Sequence, residues 1–369
     1  MGAALGRFLW KLLPRTPTIL DQNCGALAQL GERLICIQEV RSSILLGSTK
    51  FPWERWLAVA RQSDEKPFYI VLIRRSGLNR GMKICAITMV YRDYWALAQW
   101  IRHYSNNLGI ENLYIVVHGP DERVNDIAGG ANIWTIPRET LEGFDKRRNR
   151  MLNQFQFGLL QFYDWVIRTD TDELICVDPD LHGSLDRFLF QTTDDAVFAT
   201  GLNVFEQADE QDMPDGISVF DCRDAAVITG NYSKAWAVKT NAPLMRHGVK
   251  LTNDSDKPYS FCFPQGVYLA HLKFANIAAL AEMNVTRKEV ARAGVPGLPG
   301  WGWKRADAHT RKFFKEAETL DFTSWSDAVA YAHERIPTDM KYDEKDGVIR
   351  SPGIPYLAKT RLPKWFKDI

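Results

Sequence analysis

The spacing of apolar positions changes character along this chain. Lys83-Ile84-Cys85-Ala86-Ile87-Thr88 is a short apolar run, as expected of a strand covered on both faces. Tyr94, Leu97, Ala98, Ile101, Tyr104 and Leu108 then recur at helical spacing, and Gly109 is a stop signal. Leu113–Val117 and Ile133–Ile136 predict two further strands. Leu152, Phe155, Leu159 and Phe162 share one face of a second helix, and the run from Asp164 to Thr169 predicts another strand. Strands alternating with helices predict an α/β fold, a mostly parallel sheet flanked by helices, over residues 82–275.

The flanks differ. Within residues 1–80 the runs Arg33–Ile37 and Phe68–Ile73 read as strands, and Ser76 to Gly81 reads as a linker or turn. A small β-rich N-terminal extension is expected there. After residue 276 the pattern is helical, interrupted by Gly294-Val295-Pro296-Gly297-Leu298-Pro299-Gly300-Trp301-Gly302-Trp303. Residues 276–369 are therefore expected to form a helical C-terminal extension with a Gly/Pro/Trp loop.

Composition narrows the class. A chain of 369 residues with 46% hydrophobic and 25% charged content suits one large domain with extensions, or two domains. With 46 basic against 45 acidic residues, no global field points to nucleic acid. The six cysteines are scattered and include no C-x-x-C pair, which suits free thiols in a reducing, cytoplasmic setting. No run reaches transmembrane length. Met1 to Leu13 is apolar but broken by Arg7 and Lys11, and it lacks a signal-peptide core. Two readings stay open for it: a helix lying on the inner face of a membrane, or a docked terminal helix.

The candidate chemistry lies in Asp170-Thr171-Asp172-Glu173, directly after the strand ending at Thr169. Desolvated carboxylates repel unless a cation sits between them. Residues two apart in a strand share a side, so Asp170 and Asp172 can converge on one divalent metal. Open α/β sheets bind ligands at that carboxyl end. The alternative is plain: acidic residues after a strand also cap helices and form turns.

Trp165-Val166-Ile167-Arg168-Thr169-Asp170-Thr171-Asp172-Glu173, with the strand at 83–88, the helix at 94–108 and the strand at 113–117, resembles the family 2-like glycosyltransferases of GT-A fold. Phe205-Glu206-Gln207-Ala208 and Pro214-Asp215-Gly216 resemble the acceptor-side loop of one branch, and Tyr268-Leu269-Ala270-His271-Leu272-Lys273 its late histidine segment. The likeness covers roughly residues 82–275. It implies a Rossmann-like GT-A domain that uses Mn²⁺ or Mg²⁺ and a nucleotide-sugar donor, with UDP the expected nucleotide. The acceptor would be a glycan or polysaccharide, and the transfer inverting.

The same resemblance implies roles for residues. Asp170 would lie nearer the ribose, Asp172 would ligate the metal, and His271 would be a further ligand. By composition alone His271 reads first as a core histidine hydrogen-bonded to backbone, and the resemblance reverses that order. Thr88, Val90 and Tyr91 would contact the base, Asp121 would read uracil, and Arg148 of Arg148-Asn149 would contact the nucleotide. The plainer reading of Arg148 is a solvated first helical turn. A base for the acceptor hydroxyl is expected among the loop acids, with Glu206 placed first and Asp215 beside it. Trp301 and Trp303 either stack on a sugar or fill a crevice. Two alternatives stand: a non-catalytic carbohydrate-binding scaffold on a transferase fold, and aspartate-dependent phosphoryl transfer. The latter lacks a downstream Thr, since Glu173 is followed by Leu-Ile-Cys-Val.

Overall fold

The computed structural model describes residues 34–38, 56–63, 66–74, 81–253, 257–298 and 301–369, with backbone only at 34–38, 56–63, 66–74 and 301–302. The membrane-surface reading of Met1 to Leu13 lies outside these residues. The chain divides into two compact units, Met1–Gly81 and Met82–Ile369. In the first, β1 (Leu34–Gln38), β2 (Trp56–Ser63) and β3 (Lys66–Arg74) form an antiparallel sheet in that order.

The second unit carries β4 (Ile84–Val90), β5 (Leu113–His118), β6 (Asn132–Ile136), β7 (Trp165–Arg168), β8 (Glu173–Val177), β9 (Ala196–Phe198), β10 (Thr200–Phe205), β11 (Ala225–Thr229) and β12 (Ala235–Val238). These are followed by β13 (Leu244–Met245), β14 (Gly248–Lys250), β15 (Phe261–Cys262), β16 (Val267–Phe274), β17 (Phe322–Thr323), β18 (Lys341–Asp343), β19 (Val348–Arg350) and β20 (Ala358–Arg361). The principal sheet has the order β15-β9-β12-β7-β4-β5-β6, and every strand in it is parallel to β4 except β12. This is the mixed, mostly parallel, Rossmann-like sheet that the alternating pattern predicts.

The remaining strands form a second mixed sheet, β17-β20-β11-β10-β16-β8, and an antiparallel sheet, β13-β14-β19-β18. Residues 276–369 therefore add strands as well as helices. β20 pairs with β11 and β19 with β14, which ties this segment into the same unit. Such two- to four-residue strands bear too few alternations to show a period-2 pattern.

The helix Tyr94–Leu108 explains why the site region is rigid. Leu97, Trp100, Ile101 and Tyr104 fall at helical spacing and are buried in the main core. Burial of each is worth roughly 1.5–3 kcal/mol. The polar atoms on that face are matched too: Trp100 Nε1 donates to Thr169 Oγ1 at 2.9 Å, and Ile175 N donates to the Tyr104 hydroxyl at 3.1 Å. One helix thus clamps both ends of the Thr169–Ile175 segment. Gly109 ends it with φ near +84°, a region open to glycine, and its N–H returns to Ser105 O.

Candidate metal centre

β7 belongs to the principal sheet and β8 to the second, so the acidic tetrapeptide is the connection between two sheets. It closes as a tight turn. Glu173 N donates to Asp170 O at 3.1 Å, and Asp170 N donates to Glu173 Oε2 at 3.0 Å. Leu272 N holds the Asp172 carbonyl at 2.7 Å, and His271 is the register partner of Glu173. The turn forces three carboxylates together: Asp170, Asp172 and Glu173 each offer an oxygen within 4.8 Å of the others.

Cations and an imidazole surround them. Arg148, from the helix Phe144–Leu159, pairs with Asp170. Lys234 Nζ lies 2.7 Å from Glu173 Oε1 and 3.6 Å from Asp170 Oδ2. Arg287 Nη2, from the helix Ile277–Ala291, is 3.9 Å from Asp172 Oδ2. Burial alone would raise the Asp170 carboxyl, but Arg148 and Lys234 together hold it well below the usual carboxylate range. Glu173, fully buried, is pushed by desolvation up to about 7 against the pull of Lys234.

His271 is buried and oriented. Its Nδ1 is 2.7 Å from Asn203 Oδ1, an acceptor, so Nδ1 carries the proton. That leaves the Nε2 lone pair directed at Asp172, 3.3 Å from Oδ2. The Tyr232 ring stacks on the imidazole with centroids 3.7 Å apart. Burial holds the imidazole's pKa below its ordinary value against the opposing pull of Asp172.

These residues fit a divalent ion. Oxygen ligands of an octahedral Mg²⁺ lie about 3.0 Å apart when adjacent and about 4.2 Å when opposed, so a triad within 4.8 Å would draw in to close on one ion. Glu173 Oε1 is buried and faces the Lys234 ammonium at 2.7 Å. Hard oxygens suit Mg²⁺ or Mn²⁺, and the imidazole tilts the set towards Mn²⁺.

A glycine permits this assembly. A Cβ on Gly201 would lie 2.5 Å from the carbonyl carbon of Tyr232 and 2.7 Å from Ser233 N. Only a residue without a side chain lets the 230–234 turn pack onto β10, and that turn delivers both Tyr232 and Lys234. Gly201 N also donates to Ser233 Oγ at 2.8 Å.

The other sequence-derived candidates are spread around this centre. Thr88 and Val90 are buried within β4, and Thr88 Oγ1 has no hydrogen-bond partner. Tyr91 is half-buried, with the Arg138 guanidinium 3.3 Å from its ring centroid. Arg138 Nη1 donates to His118 Nδ1 at 2.7 Å, and His118 stacks on Phe144, which neighbours Trp303. Asp121 caps the helix Glu122–Ala128 by accepting from Val124 N, and it accepts from the Tyr94 hydroxyl at 3.0 Å. Glu206 is buried, 2.9 Å from Arg223 Nη2, and accepts from Ile277 N at 3.1 Å. Asp215 stands on an exposed loop. His247 neighbours Tyr232, with ring centroids 5.8 Å apart.

Sequence reasoning missed Lys234, Arg287, Asn203 and Tyr232, each a single residue in no motif. It also missed Asp93, whose carboxyl is pushed up to about 7 by burial and by Asp172. The side-by-side pairing of β10 with β16, which brings Asn203 opposite His271, has no sequence signature.

No family model matches the chain, and no curated protein matches it. Among solved structures it is similar to a 4-diphosphocytidyl-2C-methyl-D-erythritol synthase from Anaerococcus prevotii, at 14% identity, over 55% of this chain and 96% of that one, with a TM-score of 0.28. It is also similar to S. aureus TarS, at 13% identity, over 64% of this chain and 42% of that one, with a TM-score of 0.26. A cytidylyltransferase from Leptospira borgpetersenii matches at 13% identity and a TM-score of 0.21, over 32% of this chain, which spans about half (54%) of that protein. Superpositions this loose carry no functional weight. Among the described residues no helix is long and apolar enough to cross a membrane.

Proposed function

We propose that this protein is a metal-dependent glycosyltransferase that moves a sugar from a nucleotide-diphosphate donor, a UDP-sugar, to a glycan acceptor with inversion. The observation that carries the reading is the convergence of Asp170, Asp172 and Glu173 within 4.8 Å at the carboxyl edge of the principal sheet. Asp172, Asp170 and the neutral Nε2 of His271 would hold Mn²⁺ or Mg²⁺, which supplies Lewis-acid stabilisation to the departing diphosphate. Arg148 and Lys234 pair with Asp170 and Glu173 and give the same edge positive potential for phosphate oxygens. Tyr91, with Arg138 over its ring, offers a flat surface to a base.

Calorimetry with UDP and Mn²⁺ tests the proposal. UDP should bind the wild type only when the metal is present, and Asp172→Ala should lose both binding and donor hydrolysis. A variant with wild-type turnover would sink the assignment. The scaffold reading draws support from one observation: Arg148 and Lys234 already give the acids internal counter-charges. Failure to bind any nucleotide at any metal concentration would favour it. A panel of UDP-, GDP- and dTDP-sugars, scored for metal-dependent hydrolysis, would identify the donor.

A further inference from the structure

The amino edge of the principal sheet, opposite the metal centre, carries a cavity of about 590 Å³. That volume falls within the roughly 300–1,000 Å³ of ordinary small-ligand sites. The parallel strands β4 and β5 start there, at Ile84 and Leu113, and the helices Tyr94–Leu108 and Phe144–Leu159 end there. The acidic tetrapeptide follows the other end of β7. The length of β4, seven residues at about 3.3 Å each, sets the two sites roughly 20 Å apart.

The lining divides by chemistry. Ile84, Leu108 and Leu159 supply an apolar wall. Tyr114, Tyr163 and Asn112 form a directed chain of hydrogen bonds. Tyr163 Oη donates to Asn112 Oδ1 at 3.2 Å, which leaves Tyr114 Oη to donate to Tyr163 Oη at 3.0 Å. Asn112 Nδ2 donates onward to Leu108 O at 2.8 Å. Each phenol has thereby committed its single proton, and both meet a ligand only as acceptors. Asn107 Nδ2 donates to His103 O at 2.8 Å, and the amide oxygen adds another acceptor. Lys83 and Asp186 contribute one charge of each sign. Phe162 completes the site. The apolar spacing places it on the helix face of Leu152, Phe155 and Leu159, but the helix stops at Leu159 and Phe162 stands 78% exposed in the cavity lining.

A ligand that answers this set is neutral, rich in hydroxyl donors, and apolar on one face. A hexopyranose has that build: its hydroxyls donate from the edge, and its axial C–H bonds offer an apolar face to an aromatic ring. An anion would meet mainly oxygens whose protons are already committed. We propose that this cavity is a non-catalytic site for a short stretch of neutral oligosaccharide, which retains a growing glycan on the protein while its end is worked at the metal centre. The retaining role rests on the glycosyltransferase reading; the carbohydrate site does not.

Saturation-transfer NMR on the full chain, without nucleotide or metal, tests this with cellotriose, maltotriose and triacetylchitotriose, and with glucuronate as an anionic control. At least one trisaccharide should bind, about tenfold or more tighter than glucuronate. Phe162→Ala, at an exposed position where folding is not at risk, should weaken that binding about fivefold. Tyr114→Phe, which removes an acceptor, should weaken it about threefold. Asp172→Ala should bind the trisaccharide as the wild type does. No binding of any trisaccharide, or affinity unchanged in both Phe162→Ala and Tyr114→Phe, would overturn the proposal. So would loss of binding in Asp172→Ala or displacement by UDP with Mn²⁺, either of which would put the sugar at the metal centre. In a transfer assay Phe162→Ala should raise KM for a polymeric acceptor with kcat and donor hydrolysis unchanged; an unchanged KM would remove the retaining role. Trisaccharide binding that needs Phe162, in a protein that binds no UDP at any metal concentration, would overturn the transferase reading and the retaining role with it, while the carbohydrate site stood.

Discussion

Two ionic clusters of this protein contain the same kinds of groups in different states of satisfaction. At Arg223 one guanidinium meets Glu206 at 2.9 Å and Glu210 at 3.5 Å, and it also donates to the carbonyls of Ala275, Gln211 and Cys222. Glu206 accepts in addition from the first backbone N–H of the helix Ile277–Ala291. This cluster is closed and fastens the 206–223 loop to that helix. At Asp170, Asp172 and Glu173 a turn drives three carboxylates within 4.8 Å of one another; Arg148 answers Asp170 and Lys234 answers Glu173 at 2.7 Å, while Asp172 has only the imidazole at 3.3 Å and Arg287 at 3.9 Å. Charge count does not separate the two clusters. What separates them is whether the acidic oxygens are each answered by a donor or converge on a shared point.

The comparison breaks most sharply in function. Asp172→Asn is expected to lower metal-dependent donor hydrolysis by about a thousandfold, the scale of a lost Lewis-acid ligand, while the melting temperature stays level or rises. A steady-state assay with a melting curve checks both. Arg223→Ala should do the reverse. Stranding Glu206 in the interior should cost about 3–5 kcal/mol in denaturant unfolding, with donor hydrolysis per folded molecule retained. Mn²⁺ at a hundred times its dissociation constant should stabilise the wild type by about 2.7 kcal/mol. Arg223→Ala should keep that increment from a lower baseline, and Asp172→Asn should lose it. Least in size, Asn203→Leu should weaken Mn²⁺ binding about 10–100-fold, because the His271 proton loses its acceptor and the ring its orientation. Unchanged Mn²⁺ affinity would remove Asn203 from the centre.

These effects also mark what the sequence could disclose. The principal sheet was legible because β4, β5 and β7 are continuous apolar runs and the helix Tyr94–Leu108 has a clean period. Asp170 and Asp172 were legible as acids directly after an apolar strand, although a tight turn and not strand alternation brings them together, and Arg148 because it sits in a basic run near the motif. The second sheet was not: β17 and β20 are too short to show a pattern, and the pairing of β10 with β16 has no local signature. Lys234 stands 61 to 64 residues after the acids it pairs with, and nothing local distinguishes it from a solvated lysine. Glu206 attracted attention by following a strand closely. What it meets there is Arg223, a partner fixed by tertiary packing alone.

The order of strands in the second sheet has a consequence during synthesis. β16 lies between β10 and β8, and it brings His271 to Asp172 about a hundred residues after the tetrapeptide has left the ribosome. Until β16 inserts, β8 has no neighbour on that side and the imidazole is absent. A nascent or truncated chain ending before residue 267 therefore carries the acids without the completed centre.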